Sequence, residues 1–251
     1  MISIDHKQAV LVLTLKRSEK KNAITLPMYA AMADALEKAK EDESLRAVLI
    51  RGEGADFTAG NDISVFAEAG NEHLGDTVRF MHALKNCPLP VVAQVQGRAI
   101  GIGTTLLLHC DLVYCADNAQ FSLPFVDLAL VPEYASSYLL PKLVGHRKAA
   151  EWLMLAEPFG AEEAREFGLV NAVISETELE ASAWQAALKL AAKPKYALAL
   201  TKKLMKYEQQ AVTAHMNEEL DFFLEQVQSP AAKEAFQAFL EKRTPDPKIY
   251  Q

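Results

Sequence analysis

Pro90-Val-Val-Ala-Gln-Val-Gln-Gly97-Arg-Ala-Ile-Gly101-Ile-Gly103-Thr-Thr-Leu-Leu-Leu-His109 decides the fold. Val91 to Val95 is a β-favouring run without polar alternation, and such a strand is typically covered on both faces. Glycines at 97, 101 and 103 turn the chain, and Thr104 to His109 continues as helix. A strand that runs through a glycine loop into a helix is a unit of a β/α core. Backbone N–H groups at such a helix start lie beyond the strand end. There they are ready donors to an anion or to a developing oxyanion.

A second unit of the same kind lies upstream. Ala47-Val-Leu-Ile50 reads as a short buried strand and runs through the loop Gly52 to Gly60 into Asn61 and Asp62. Further out, residues 8–15 read as a strand, with Ile2 to Ile4 as a short hairpin partner. Residues 27–41 read as a helix with Thr25 as its cap and Pro27 in the first turn. Residues 73–86 read as helix, Leu112 to Cys115 and Ala119 to Ser122 as strands, and one more short strand lies near Val173. From about Ala135 the chain is mostly helical, with at least three long helices in 176–241. The pattern is a β/α core followed by a helical C-terminal third, divided here into residues 1–190 and 191–251.

Composition bounds the function. The chain has 251 residues, half of them hydrophobic and 24% charged, which excludes intrinsic disorder. At this length a sizeable core forms without disulfide or metal staples. The net charge of −7 disfavours nucleic-acid binding and leaves room for a local basic patch on an anionic small ligand. Cys87, Cys110 and Cys115 are an odd count without framework spacing, which predicts a reducing, cytoplasmic setting. No signal-peptide pattern is seen at Met1 to Lys7, and the apolar run Ala99 to Cys110 is too short to span a bilayer, so no membrane association is expected.

Nucleotide and nucleophile motifs are missing. The glycines at 101 and 103 lack the third glycine of a dinucleotide fingerprint, neither cluster holds a P-loop lysine, and there is no Gly-x-Ser-x-Gly elbow. No histidine pair stands at metal-ligand spacing, so no metal is expected. Taken alone, the two glycine loops read as tight turns or as donor loops.

Together, the motifs resemble the enoyl-CoA hydratase/isomerase (crotonase) superfamily. The matching text is Arg17 with Asn22-Ala23-Ile24, then Phe57-Thr-Ala-Gly60-Asn61-Asp62-Ile63, then Pro90 to Gly101. It continues through Cys110-Asp111-Leu-Val-Tyr114, Ala119 to Ser122 and Pro132 to Gly145. The resemblance implies an α/β crotonase-like fold, a (ββα)n spiral core with a helical C-terminal region that forms trimers or hexamers. Phe222, Phe223, Phe236 and Phe239 are the candidate anchors there. It implies an acyl-CoA thioester as substrate, with CoA arriving as part of that substrate and no separate cofactor.

Carried over by position, Asn61 and Ile102 are the backbone donors to the thioester oxygen, with Gly101 shaping the second donor loop. Lys21, Ala23 and Ile24, together with Ala59, Asp62 and Ile63, match the stretches that hold the CoA nucleotide and pantetheine. Lys242 resembles a tail lysine that reaches CoA phosphates. Hydratases of the family use two glutamates on water; the matching positions here are Thr105 and Phe125. Phe125 is therefore expected in the acyl pocket wall. Glu133, after Pro132, instead resembles the single glutamate of peroxisomal-type Δ3,Δ2-enoyl-CoA isomerases, which act in fatty-acid oxidation. Asp62 and Asp127 are expected to bond their own loops. The alternatives are another crotonase reaction, hydration above all, or a non-catalytic acyl-CoA binding protein.

Overall fold

The computed structural model describes residues 1–64, 74–206 and 208–250. A six-stranded sheet has the order β1-β2-β3-β4-β6-β9, formed by β1 (Ile2–Lys7), β2 (Val10–Leu15), β3 (Ala47–Gly52), β4 (Val91–Val95), β6 (Leu112–Ala116) and β9 (Ala172–Ile174). β1 and β2 are an antiparallel hairpin, and every later pairing in this sheet is parallel. A smaller sheet joins β5 (Arg98–Ile100), β7 (Gln120–Ser122) and β8 (Phe159–Gly160).

Burial of both sheet faces explains the unalternating strands. Leu11, Leu13, Val48, Ile50, Val91 and Ala93 face a large core with α1 (Leu26–Glu41) and α2 (Gly75–Lys85), which brings in Met32, Leu36, Phe80 and Leu84. Their sequence neighbours Val10, Val12, Ala47, Leu49 and Val92 face a second cluster. Ala183 and Ala187 close it from α7 (Glu176–Ala191). Successive strand residues point to opposite faces, so two apolar layers require an uninterrupted apolar run.

After β5 the chain forms one α-helical turn, α3 (Ile102–Thr105), that tightens into a 3₁₀ turn at Leu106–His109. The helix therefore begins two residues before Thr104, and its second half is 3₁₀ rather than α-helical. α4 (Ser136–Val144) and α5 (His146–Ala150) pack on each other, and α6 (Ala161–Glu166) packs on β7 and β8. α8 (Lys195–Met205), α9 (Gln209–Val227) and α10 (Pro230–Glu241) complete the fold. α9 and α10 return to the main core, where they bury Met216, Phe223, Val227 and Phe236.

The four C-terminal phenylalanines thus divide. Phe223 and Phe236 pack on their own chain, whereas Phe222 and Phe239 are exposed. Position 73, where the sequence places a helix start, lies outside the described residues. Thr25 stands at the N-cap of α1 without making a side-chain capping bond. Strands β5 and β8 were not legible; at three and two residues they exist through pairing with β7. Among the described residues no helix is long and apolar enough to cross a membrane.

Candidate active site

The two glycine loops lie side by side. A parallel bridge joins Thr58 to Ala99, with the Thr58 N–H donating to the Arg98 carbonyl at 2.8 Å and the Ile100 N–H to the Thr58 carbonyl at 3.1 Å. A second bridge joins Ile24 to Asn61: the Ile24 N–H donates to the Gly60 carbonyl at 2.8 Å and the Asp62 N–H to the Ile24 carbonyl at 3.0 Å. That pattern uses the peptide groups flanking Asn61 and turns its own N–H the other way. Ile102 is the first residue of α3, where helix geometry offers its N–H no internal acceptor. Among the described residues, neither the Asn61 nor the Ile102 N–H donates to another group.

Two glycines permit this approach. A Cβ on Gly60, at φ +85°, would lie 2.6 Å from the Ile100 carbonyl oxygen, and one on Gly103 would lie 2.6 Å from the Thr58 methyl. Both donor residues line a cleft of about 370 Å³, together with Ala59, Ile63, Gly101 and Phe125.

Glu133 is buried beside this cleft and lines a second, mostly apolar cavity with Thr77, Met81 and Met216. Asn61 and Phe223 line both spaces. The Thr105 hydroxyl donates to Glu133 Oε1 at 2.5 Å. Thr105 belongs to the turn that begins with Ile102, so one turn supplies a backbone donor and the carboxylate's partner. Burial pushes the Glu133 carboxyl up to about 8; the Thr105 bond opposes this rise and the nearby Glu219 charge adds to it.

The loop after Glu133 is clamped. Tyr134 and Ala135 are both left-handed, at φ 63° and 57°, a conformation costing roughly 1–2 kcal/mol for each such residue. The Tyr134 ring stacks on His109 at 3.9 Å and its hydroxyl donates to the Met81 carbonyl at 2.9 Å. His109 Nε2 donates to the Tyr134 carbonyl at 2.8 Å. Burial pulls His109 down to about 3, so the ring is neutral. On the other side, the Ala135 N–H donates to Glu219 at 2.5 Å, and Glu219 also accepts from the Ser137 N–H and hydroxyl.

The remaining sequence candidates have other surroundings. The Asn61 side chain accepts from the Tyr29 hydroxyl at 2.6 Å, which ties its loop to α1. Burial, with the Glu133 charge behind it, holds Tyr29 well above its ordinary range, so it remains a donor. The Lys21 carbonyl accepts from the Ala59 N–H at 2.8 Å while its side chain is exposed. One Arg17 nitrogen donates to the Ala23 carbonyl at 3.2 Å and to Asp62 at 2.5 Å. Burial would raise the Asp62 carboxyl, but the Ser64 hydroxyl and Arg17 outweigh it and hold it below the usual range. Asp62 is thus engaged with its own loop, Ile24 is buried and Ile63 is half-buried at the cleft.

Lys242 caps α10 in a left-handed conformation, exposed, and is not among the cleft-lining residues. Its neighbour Arg243 lines the cleft instead, paired with Glu234 and Glu241. Sequence reasoning also missed Glu219 and the bond from Thr105. Glu219 lies mid-helix with no motif around it, and Thr105 was read only as a lost carboxylate. Among the described residues no cluster of His, Cys, Asp or Glu is arranged to hold a metal ion.

The family model for enoyl-CoA hydratase/isomerase matches residues 5–248. The chain belongs to the enoyl-CoA hydratase/isomerase family. The solved structure of OdaA from Pseudomonas aeruginosa is 44% identical, with a TM-score of 0.92 over 95% of this chain and 98% of that one. The 1,2-epoxyphenylacetyl-CoA isomerase of Escherichia coli (strain K12) is 33% identical over 95% of each chain. Enoyl-CoA delta isomerase 2 of Rattus norvegicus is 34% identical over 87% of this chain, which spans 57% of that protein. The crotonase fold is shared with the solved neighbours, and family membership makes the chain an acyl-CoA enzyme.

Proposed function

We propose that the protein is a Δ3,Δ2-enoyl-CoA isomerase, and that Glu133 is its single acid–base residue. The observation that supports this most is a buried carboxylate that, among the described residues, has one hydrogen-bond donor, in an apolar wall beside two backbone N–H groups without a described acceptor. The thioester oxygen of a 3-enoyl-CoA accepts from the Asn61 and Ile102 N–H groups, which take up charge as the enolate forms. Ionised Glu133 removes a proton from C2, and the electron pair delocalises into a dienolate. The protonated carboxyl then delivers a proton to C4, the double bond moves to C2–C3, and Glu133 is again a carboxylate. One residue serves both steps because the proton leaves and re-enters the same acyl chain. A carboxyl near 8 has the balance between basicity and ionised fraction that a general base needs close to neutrality.

Hydration is the rival, and it needs a second carboxylate to hold water. Glu219, the acid whose charge Glu133 feels, is committed to three donors on the Ala135–Ser137 backbone and side chain. Assay with 3-hexenoyl-CoA and, separately, 2-hexenoyl-CoA tests the choice. Isomerisation is expected to dominate; hydration at a comparable rate would refute this reading. Ile102→Pro tests the oxyanion donor, because proline removes the N–H yet suits a first helical position. Turnover is expected to fall by about 10²–10³, with the fold retained by circular dichroism.

We further read the protein as a cytoplasmic homotrimer or a dimer of trimers. Its three cysteines are free thiols, and Phe222 on α9 with Phe239 and Leu240 on α10 are exposed apolar side chains. Light scattering giving a monomer mass of 27.6 kDa at micromolar concentration would contradict the assembly.

A further inference from the structure

The C-terminal ends of α2 and α8 meet around a pocket of about 330 Å³ lined by Lys85, Lys202, Lys203 and Lys206, which shares no lining residue with the cavity beside Glu133. Lys85 and Lys202 are more than nine-tenths buried, and Lys206 is half-buried. An ammonium group has three N–H donors. Lys85 uses one, on Gln209 Oε1 at 3.0 Å, and Lys202 uses two, on the Leu89 carbonyl and Asp111 Oδ2, both at 2.6 Å. Lys206 donates to the His109 carbonyl at 3.0 Å and faces Asp111 Oδ1 at 3.7 Å.

The charges do not balance. Among the described residues, Asp111 is the carboxylate paired with these lysines, and it also accepts from the Val91 N–H at 2.7 Å. The two helix C termini add about half a negative charge each. Among the described residues, buried Lys85 and Lys202 with half-buried Lys206 therefore exceed their compensation by roughly one charge, and exposed Lys203 adds another at the rim. Burial and the neighbouring ammonium groups push Lys85 and Lys206 below the usual lysine range, as expected where a counter-charge is short. The remaining wall includes Pro88, Ala199 and Leu200, which suits an anion carried on a small organic body.

We propose that this pocket is a second binding site, for a small anion whose carboxylate or phosphate group sits between Lys85 and Lys206, with Lys202 behind and Lys203 at the mouth. It is separate from the acyl-CoA cleft, so it stands or falls independently of the isomerase reading. The test is thermal unfolding of the full chain in chloride, inorganic phosphate or malonate at equal ionic strength. A ligand that binds only the folded state raises the melting temperature with its concentration. Phosphate or malonate is expected to raise it by a few degrees above chloride, and the larger shift identifies the head group. Lys206→Met should abolish that extra shift, and Lys203→Met, at an exposed position that does not endanger folding, should weaken the apparent affinity several-fold. No shift beyond chloride would overturn the proposal. So would a shift undiminished in both variants, which places the anion elsewhere on the molecule.

Discussion

Glu133 and Glu219 are buried equally, each 6% exposed, yet their surroundings differ in one respect. Among the described residues, Glu133 accepts one hydrogen bond, from Thr105, and it faces a cavity. Glu219 accepts from the Ala135 N–H, the Ser137 N–H and the Ser137 hydroxyl, at the start of α4. Burial raises both carboxyls, but in Glu219 the donors of Ser137 and Ala135 work against that rise. Glu133 has only Thr105 to oppose it and reaches about 8. Donor supply, rather than depth, distinguishes a carboxylate that can move a proton from one that holds a loop. The second holds the first: Glu219 grips Ala135 and Ser137, just after Tyr134 at the left-handed turn.

Stability separates them most. Glu219→Gln places an amide nitrogen against N–H or O–H donors and leaves buried groups unpaired, at about 1–3 kcal/mol. Urea melts at pH 7 should show that loss. Glu133→Gln should have the opposite sign at alkaline pH. The folded-state pKa lies above the unfolded value, so between about 4.5 and about 8 the native chain holds a proton that the unfolded chain has released. The stabilisation from this group is full below that window and declines across it by up to about 1.4 kcal/mol per pH unit. Glu133→Gln should remove that decline, leaving the variant more stable than the parent at pH 8.5. Equal pH slopes for parent and variant would remove the distinction between the two glutamates.

A smaller effect sharpens the role of Thr105. Thr105→Val removes the donor that favours the ionised form, so the ascending limb of the pH–rate profile should move to higher pH, by up to about one unit. A limb that stays in place would mean that Thr105 does not set the base. Smallest is Asn61→Ala. Its backbone N–H survives, and only the tether from Tyr29 is lost, so turnover with 3-hexenoyl-CoA should stay within about tenfold of the parent. A larger loss with CoA binding intact would assign work to the amide itself.

Much of this arrangement could be read from the chain. The apolar strands and the glycines that follow them mark a β/α core with two loops beyond strand ends, and the parallel pairing is what the structure adds. The close contacts at Gly60 and Gly103 are why those positions lack side chains. Glu133 could be singled out because Thr105 and Phe125 stand at the hydratase carboxylate positions. The structure adds that Thr105 is the partner of Glu133, a contact between residues 28 apart in sequence. Glu219 was illegible for the same reason, since 84 residues separate it from Ala135 and no local pattern marks a helical glutamate that turns inward. The short strands β5 and β8 carry too little propensity to be seen before their partner β7 is in place. Arg243 at the cleft, where Lys242 was the sequence candidate, depends on where α10 ends.

The central claim is that one carboxylate carries the proton from C2 to C4, and turnover of 3-hexenoyl-CoA by Glu133→Gln tests it most directly. Glutamine preserves size and polarity but cannot accept the proton. The account predicts that kcat falls by at least about 10² with KM little changed, and that the ascending pH limb disappears. The oxyanion donors and CoA contacts are untouched, so binding of a CoA thioester should persist. Turnover within a few-fold of the parent would contradict the account, and Asp127, which also lines the cleft, would become the next residue to test.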